Sequence, residues 1–146
     1  MSPDETGSID GFDHVSLPMR GTDAMVGFYR SLGLDVAEHP HVVSVYVGNQ
    51  MINLHRPSIW HREDFTLRAP AATPPCGDLC FVWEGSPESL AELLDGAGAT
   101  VIEGPVPRHG GRRTEASSVY ARDPDGNLLE FMIYPHDGRE GSADAR

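Results

Sequence analysis

Four side chains, His14, His55, Asp78 and Glu130, combine a metal-capable or acid–base chemistry with positions in strand-like runs. Glu130 lies inside Leu128 to Tyr134 (LLEFMIY), which is otherwise apolar. Burying a carboxylate costs several kcal/mol unless a cation or a set of donors compensates it, so a Glu there either faces water or serves a partner. His14 sits in GFDHVSLP, His55 closes MINLH, and Asp78 opens DLCFVW. Two imidazoles with one carboxylate and open coordination positions suit iron(II), and nitrogen and carboxylate donors also suit zinc, nickel or manganese.

The elements that must position these groups follow from periodicity. Strand side chains alternate faces, so Leu129, Phe131 and Ile133 share one face while Leu128, Glu130 and Met132 share the other. Asp123-Pro124-Asp125-Gly126 before it is a turn: Pro presets φ, Asp bonds its own backbone, and Gly126 tolerates φ > 0. The stretch from Val119 to Tyr134 therefore reads as an antiparallel hairpin. In the first half, His14 shares a face with Phe12 and Ser16, and His55 with Met51 and Asn53. Thr22 is the expected cap of a helix with Met25, Val26, Tyr29 and Leu32 at helical spacing and a stop at Gly33. Leu34 to Glu38, Val42 to Gly48 and Met51 to His55 read as three strands.

Residues 56 to 77 carry four prolines without a sustained period and read as a long surface connection, in which Trp60 and Phe65 either line a cleft or cover the core. Asp78 to Trp83 is a strand, and Ser86-Pro87 starts a helix with Leu90, Leu93 and Leu94 as its apolar stripe. Ala99 to Glu103 is the next expected strand, followed by GPVPRHGGRR as a basic, glycine-rich loop. Arg108, Arg112 and Arg113 there could clamp a carboxylate with their planar forks, the simpler reading being solvated charge. Phe28, Tyr29, Phe81 and Phe131 are assigned to the core.

The two halves repeat. His14-Val-Ser-Leu and Asp78-Leu-Cys-Phe begin equivalent strands, and Gly21-Thr22 and Gly85-Ser86 follow at equal spacing. On this alignment His55 matches Glu130, so all four polar groups fall at equivalent places, opposite the main apolar face of their strands. The expected fold is α+β: two tandem βαβββ modules form a curved mixed sheet cup with helices on its outer face. Module one spans 11–56, a linker 57–76 and module two 77–135, within one domain at 10–135. Residues 1–9 and 136–146 are expected to be disordered tails, being polar and aperiodic.

Charge and length narrow the functions. Twenty-two acidic against 11 basic side chains give a formal charge of −11, which disfavours sequence-independent binding to nucleic acid or anionic membranes. No apolar run is long enough to span a bilayer, and MSPDETGSID lacks the basic and apolar regions of a secretory signal, so a cytoplasmic protein is expected. Cys76 and Cys80 are the only cysteines, spaced without a second pair to complete a zinc site, and Cys80 is expected to be a reduced, buried strand residue.

DHVSL, INLH, GPVPR and SVYARDPDGNLLEF together resemble the vicinal oxygen chelate superfamily, which includes glyoxalases, bleomycin-resistance proteins and extradiol dioxygenases. More narrowly, NQMINLH, GDLCFVW and EGPVPR resemble its virulence-associated, glyoxalase-domain-containing subgroup. The resemblance implies one divalent metal ion per site, zinc, nickel, iron or manganese, on His14, His55 and Glu130. Position 78 is the fourth place, and Asp78 stands where many members have His. It implies a homodimer whose sites are shared between subunits, and a small-molecule substrate whose vicinal oxygens bind the metal as an oxyanion or enediolate forms. Lyase or isomerase chemistry, with Glu130 or Asp78 as base, is favoured over extradiol dioxygenation. Arg108, His109 and Tyr120 are the candidate substrate contacts. The alternative is a metal-free drug-binding protein of the bleomycin-resistance kind, whose mark is loss of the metal ligands that are retained here.

Overall fold

Eight strands form among the described residues, most of them from the period-two runs of the sequence. A computed structural model describes residues 6–136; of the expected tails at 1–9 and 136–146, residues 1–5 and 137–146 lie outside the described residues. In order the elements are β1 (His14–Pro18), α1 (Thr22–Ser31), β2 (Asp35–Glu38), β3 (Val42–Val47), β4 (Gln50–His55), a short α2 (Pro57–Trp60), β5 (Asp78–Val82), α3 (Pro87–Gly96), β6 (Glu103–His109), β7 (Glu115–Arg122) and β8 (Leu128–Ile133). The strands form two mixed sheets with the same connectivity, ordered β1-β4-β3-β2 and β5-β8-β7-β6. In each, the first strand runs parallel to the last and the remaining pairs are antiparallel. The fold is α+β, two βαβββ modules in tandem. No helix among the described residues is long and apolar enough to cross a membrane.

The helices bury one stripe each. Met25, Val26, Phe28 and Tyr29 of α1 and Leu90 and Leu94 of α3 are buried, and they join Val43, Val45, Leu54, Leu129 and Phe131 in one core cluster that spans both modules. Ser86 caps α3 reciprocally with Ser89, and Pro87 follows in the first turn, where its missing N–H costs no helical bond. For α1 the expected cap is corrected. Gly21, not Thr22, holds the N-cap position and makes no side-chain bond. The cap comes instead from a residue about a hundred positions away: Asp125 accepts from the backbone N–H of Gly21 at 2.8 Å and of Arg20 at 2.6 Å. A carboxylate at a helix start satisfies orphan donors and complements the helix dipole.

The hairpin turn is a hub as well as a bend. Buried Asp123 accepts from the backbone N–H of Asp125, Gly126 and Asn127 at 3.1, 3.0 and 2.9 Å, and from Asn127 Nδ2 at 2.8 Å. Asn127 Oδ1 in turn accepts from the Gly77 N–H at 2.8 Å, fixing the entry to β5. Gly126 adopts φ 102°, the left-handed region that its lack of a Cβ permits.

Three further expectations are corrected. GPVPRH is not a loop but most of β6, and Ala99 to Ile102 precede the strand. β6 is an edge strand with a register shift between Glu103 and Val106, so Pro105 and Pro107, which lack the N–H a central ladder needs, are accommodated there. The connection after β4 is not structureless: α2 places Trp60 in the protein interior, where its Nε1–H donates to the Met19 carbonyl at 2.7 Å. Trp60 thus covers the core. Cys80, expected to be buried, is exposed on β5, as is Cys76 on the loop before it, and both are free thiols.

Candidate functional site

The candidate residues lie on the sheet faces that the helices leave uncovered. In module one, His14 and Ser16 of β1 share that face with Met51, Asn53 and His55 of β4; in module two, Asp78 and Cys80 of β5 share it with Glu130 of β8 and Tyr120 of β7. Register then decides which groups are neighbours. His14 stands beside Met51 while His55 stands beside Pro18, so the two imidazoles are four residues apart along paired strands, roughly 13 Å at about 3.3 Å per residue. One ion with bonds of about 2 Å does not join side chains rising from those two places. Among the described residues no group of three or more His, Cys, Asp or Glu side chains could hold a metal ion, so a single chain does not gather the expected ligand set.

The same register revises the repeat. With His14 matched to Asp78, Met51 corresponds to Leu128, and Asn53 corresponds to Glu130. His55 corresponds to Met132. A two-residue slip keeps every side chain on its own face, which is why alternation alone did not reveal it.

Each residue has a distinct setting. His14 is partly exposed, with 42% of its side chain accessible, and its Nδ1 meets Asp13 Oδ2 at 2.6 Å. With the proton on Nδ1, that carboxylate orients the ring and leaves Nε2 as an acceptor or ligand. Glu130 is half-buried; Ser118 Oγ–H donates to its Oε2 at 2.5 Å, and no Lys, Arg or His among the described residues forms an ion pair with it. Tyr120 is its cross-strand neighbour on β7. Arg108 reaches over from β6, donating from Nε to the Tyr120 hydroxyl at 2.9 Å with its guanidinium 5.5 Å from the ring centre. Tyr120 is thus the link, beside Glu130 on β8 and bonded to Arg108 of β6. His109 is not part of this group: it follows Arg108 at the exposed end of β6, opposite Glu115 and on the other face. Asp78 is exposed at the start of β5, beside Leu128.

Cys80 lies directly beside Glu130. Partial desolvation, together with the Glu130 and Asp78 carboxylates, pushes its thiol up to about 11. It is a neutral thiol near pH 7, not a nucleophile. Burial first, and Arg68 second, hold the His55 imidazole below its ordinary pKa, so it is neutral at pH 7. Phe65 packs edge-on against that ring at 5.0 Å.

An open apolar groove of about 410 Å³ runs between the two modules, with Phe12, His14 and Val15 on one wall and Leu79, Cys80 and Val82 on the other. Residues that sequence reasoning missed include Asp13, Asn53 and Ser118, each of which touches or replaces an expected ligand. Asp13 had a signal, standing next to His14 in the chain. Ser118 had none, since only the β7–β8 pairing brings it to Glu130.

Paired βαβββ modules with polar groups on their open sheet faces define the class of fold to which the chain belongs. The chain belongs to the Glyoxalase/Bleomycin resistance protein/Dioxygenase superfamily, whose family model matches residues 11–131. It is similar to the virulence protein STM3117 of Salmonella typhimurium, 34% identical over 128 residues that cover 86% of this chain and 85% of that protein. The crystal structure of STM3117 superposes with a TM-score of 0.77 at 33% identity, covering 88% of this chain and all of the other. The glyoxalase domain-containing protein RDO1 of Mycosarcoma maydis is also 34% identical over 128 residues, covering 87% of this chain and 70% of that protein. The lactoylglutathione lyase of Agrobacterium tumefaciens shares the fold, with a TM-score of 0.66 at 23% identity over 86% of this chain and 95% of the other.

Proposed function

We propose that this protein is a divalent-metal-dependent enzyme of the glyoxalase type, acting on a small molecule with vicinal oxygens, and that two copies of the chain complete each site. The observation that carries the reading is Glu130: a half-buried carboxylate on the open face of β8, bonded to a serine hydroxyl and matched by no cation among the described residues. Such a carboxylate is stabilised by a positive partner that arrives from elsewhere. His14, oriented by Asp13 through Nδ1 and so left with Nε2 to bind, is a suitable ligand from a second copy. A divalent metal bound between them would act as a Lewis acid toward substrate oxygens.

Around that place the chain supplies the remaining roles. Tyr120 stands next to Glu130 and carries Arg108 on its hydroxyl, and the two would position an oxygen-rich substrate by hydrogen bonding. Asp78, on the same face as Glu130, is an exposed carboxylate able to take a proton from a carbon beside a carbonyl. Two carboxylates on one sheet face, Asp78 and Glu130, suit the proton transfer that lyase or isomerase chemistry needs. A second reading, metal-free binding of an apolar drug as the family name allows, is favoured by one observation: the groove beside His14 is lined mainly by apolar side chains.

Mass spectrometry of bound metal on untagged protein tests the proposal. About one metal per chain is expected, lost in His14→Ala and in Glu130→Ala and retained in His55→Ala. Protein that is metal-free and cannot be reconstituted would overturn it and direct attention to drug-binding titrations.

A further inference from the structure

We infer that the connection between the modules builds an anion pocket on module one, and that the substrate carries a small carboxylate that docks on Arg68. The inference rests on the enzyme reading for the word substrate; the pocket stands on its own geometry. α2 drives Trp60 into the interior and anchors it on the Met19 carbonyl. Arg68 then donates from Nη1 to the Trp60 carbonyl, and its guanidinium lies 5.7 Å from the centre of the Phe65 ring. Phe65 in turn packs on His55. The connection is thereby folded back over the C-terminal ends of β1 and β4, enclosing a cavity of about 130 Å³ bounded by Ser16, Pro18, His55, Trp60, Arg68 and Ala72.

The chemistry of that cavity is one-sided. The chain has twice as many acidic as basic side chains, yet among the described residues no Asp or Glu lines this space. Arg30, Arg56 and Arg62 each pair with a carboxylate; Arg68 is half-buried and, among the described residues, pairs with none. A partly desolvated guanidinium without a counter-charge is costly, and its planar fork matches a carboxylate through two parallel bonds. With Nη1 committed to Trp60, Nε and Nη2 remain for that fork, and the Ser16 hydroxyl is a further donor. At about 30 Å³ per water, the volume is that of roughly four waters. It admits a carboxylate carrying one or two further carbons, the size of propionate.

The test is a titration of the full-length, metal-free protein, labelled with nitrogen-15, using propionate, propionamide and inorganic phosphate as probes. The Trp60 indole and Arg68 Nε–H resonances are followed. Propionate is expected to produce saturable shifts that propionamide does not, and to bind more tightly than phosphate. Arg68→Gln is expected to weaken propionate about tenfold or more. Ala72→Leu, which fills the cavity while leaving the charge, is expected to do the same, so the proposal stays testable should the arginine variant fail to fold. Equal response to propionamide, tighter binding of phosphate, or undiminished propionate binding in a folded variant would each overturn it. Because no metal is needed, failure here is separable from failure of the metal-enzyme reading.

Discussion

The Tyr29 hydroxyl donates a 2.7 Å hydrogen bond to Asp123 Oδ2, joining helix α1 of the first module to the hairpin of the second across 94 residues of sequence. Both groups are buried, and the same carboxylate already collects three backbone N–H groups of its own turn. The bond therefore fixes the position of the hairpin, and with it β8 and Glu130, relative to the shared core. Burial first, then the Asp123 carboxylate, drives the Tyr29 hydroxyl well above the ordinary phenol range.

Tyr29→Phe removes one bond to a charged acceptor, and a loss of about 1.5–3 kcal/mol in unfolding free energy is expected from urea titration. Linkage adds a pH signature. Because the folded state holds the phenol proton more tightly than the unfolded chain, the stability tied to it is intact below the unfolded pKa of about 10 and declines as pH rises beyond it. The Phe variant should lose less stability than the parent between neutral pH and pH 11. Parallel decline of the two proteins would show that this phenol is not the group responsible.

Gly104 offers a prediction about β6. Its φ is 109°, and a Cβ there would collide with the Ser118 carbonyl oxygen, a backbone atom of β7 that cannot yield. Gly104→Ala should cost about 2–3 kcal/mol or more, measured by chemical denaturation, through strain and displacement of the edge strand. Gly111→Ala, where a Cβ meets nothing within 4 Å and φ is unexceptional, is the control and should change stability by less than about 1 kcal/mol. Comparable losses at both positions would contradict the close approach of β6 to β7 as the cause.

How far such features could be read from sequence depends on whether their cause is local. The DPDGN turn was legible because Pro, Asp and Gly specify it within five residues. The βαβββ repeat was legible because helix and strand periods differ. The match of Asn53, not His55, to Glu130 was not legible, since slipping a strand by two residues leaves every face unchanged. β6 reads in sequence as a basic, glycine-rich loop, and only the sheet order shows an edge strand, where its prolines are tolerated. Asp125 capping α1, Ser118 on Glu130 and Arg68 beside His55 are long-range pairings with no periodic trace.

Cys80 tests the electrostatics of the Glu130 face. With the thiol pushed up to about 11 from an ordinary value near 9, its thiolate fraction at pH 8 is lower by about a hundredfold. In a Cys76→Ser background, iodoacetamide should alkylate Cys80 slowly at pH 8 and increasingly fast as pH climbs toward 11. Glu130→Gln removes one of the charges that raise it, so alkylation at pH 8 should accelerate. An unchanged rate would mean that Glu130 does not act on the thiol, leaving partial burial and Asp78 to set it.

A shared site makes a prediction that no single-chain site shares. His14 lies on one sheet and Glu130 on the other, and within one chain they do not join a group of three or more metal-capable side chains. His14→Ala and Glu130→Ala should therefore each abolish metal binding alone. If each site takes His14 from one copy and Glu130 from the other, a mixed dimer of the two variants has one site lacking both ligands and one that is intact. Co-refolding equal amounts, with random pairing, makes half the dimers mixed, so about a quarter of all sites should regain metal. Metal content measured by mass spectrometry on the co-refolded sample reads this directly. Recovery near that fraction assigns the two ligands to different subunits, whereas no recovery, with dimer formation verified by light scattering, places both ligands of each site in one chain.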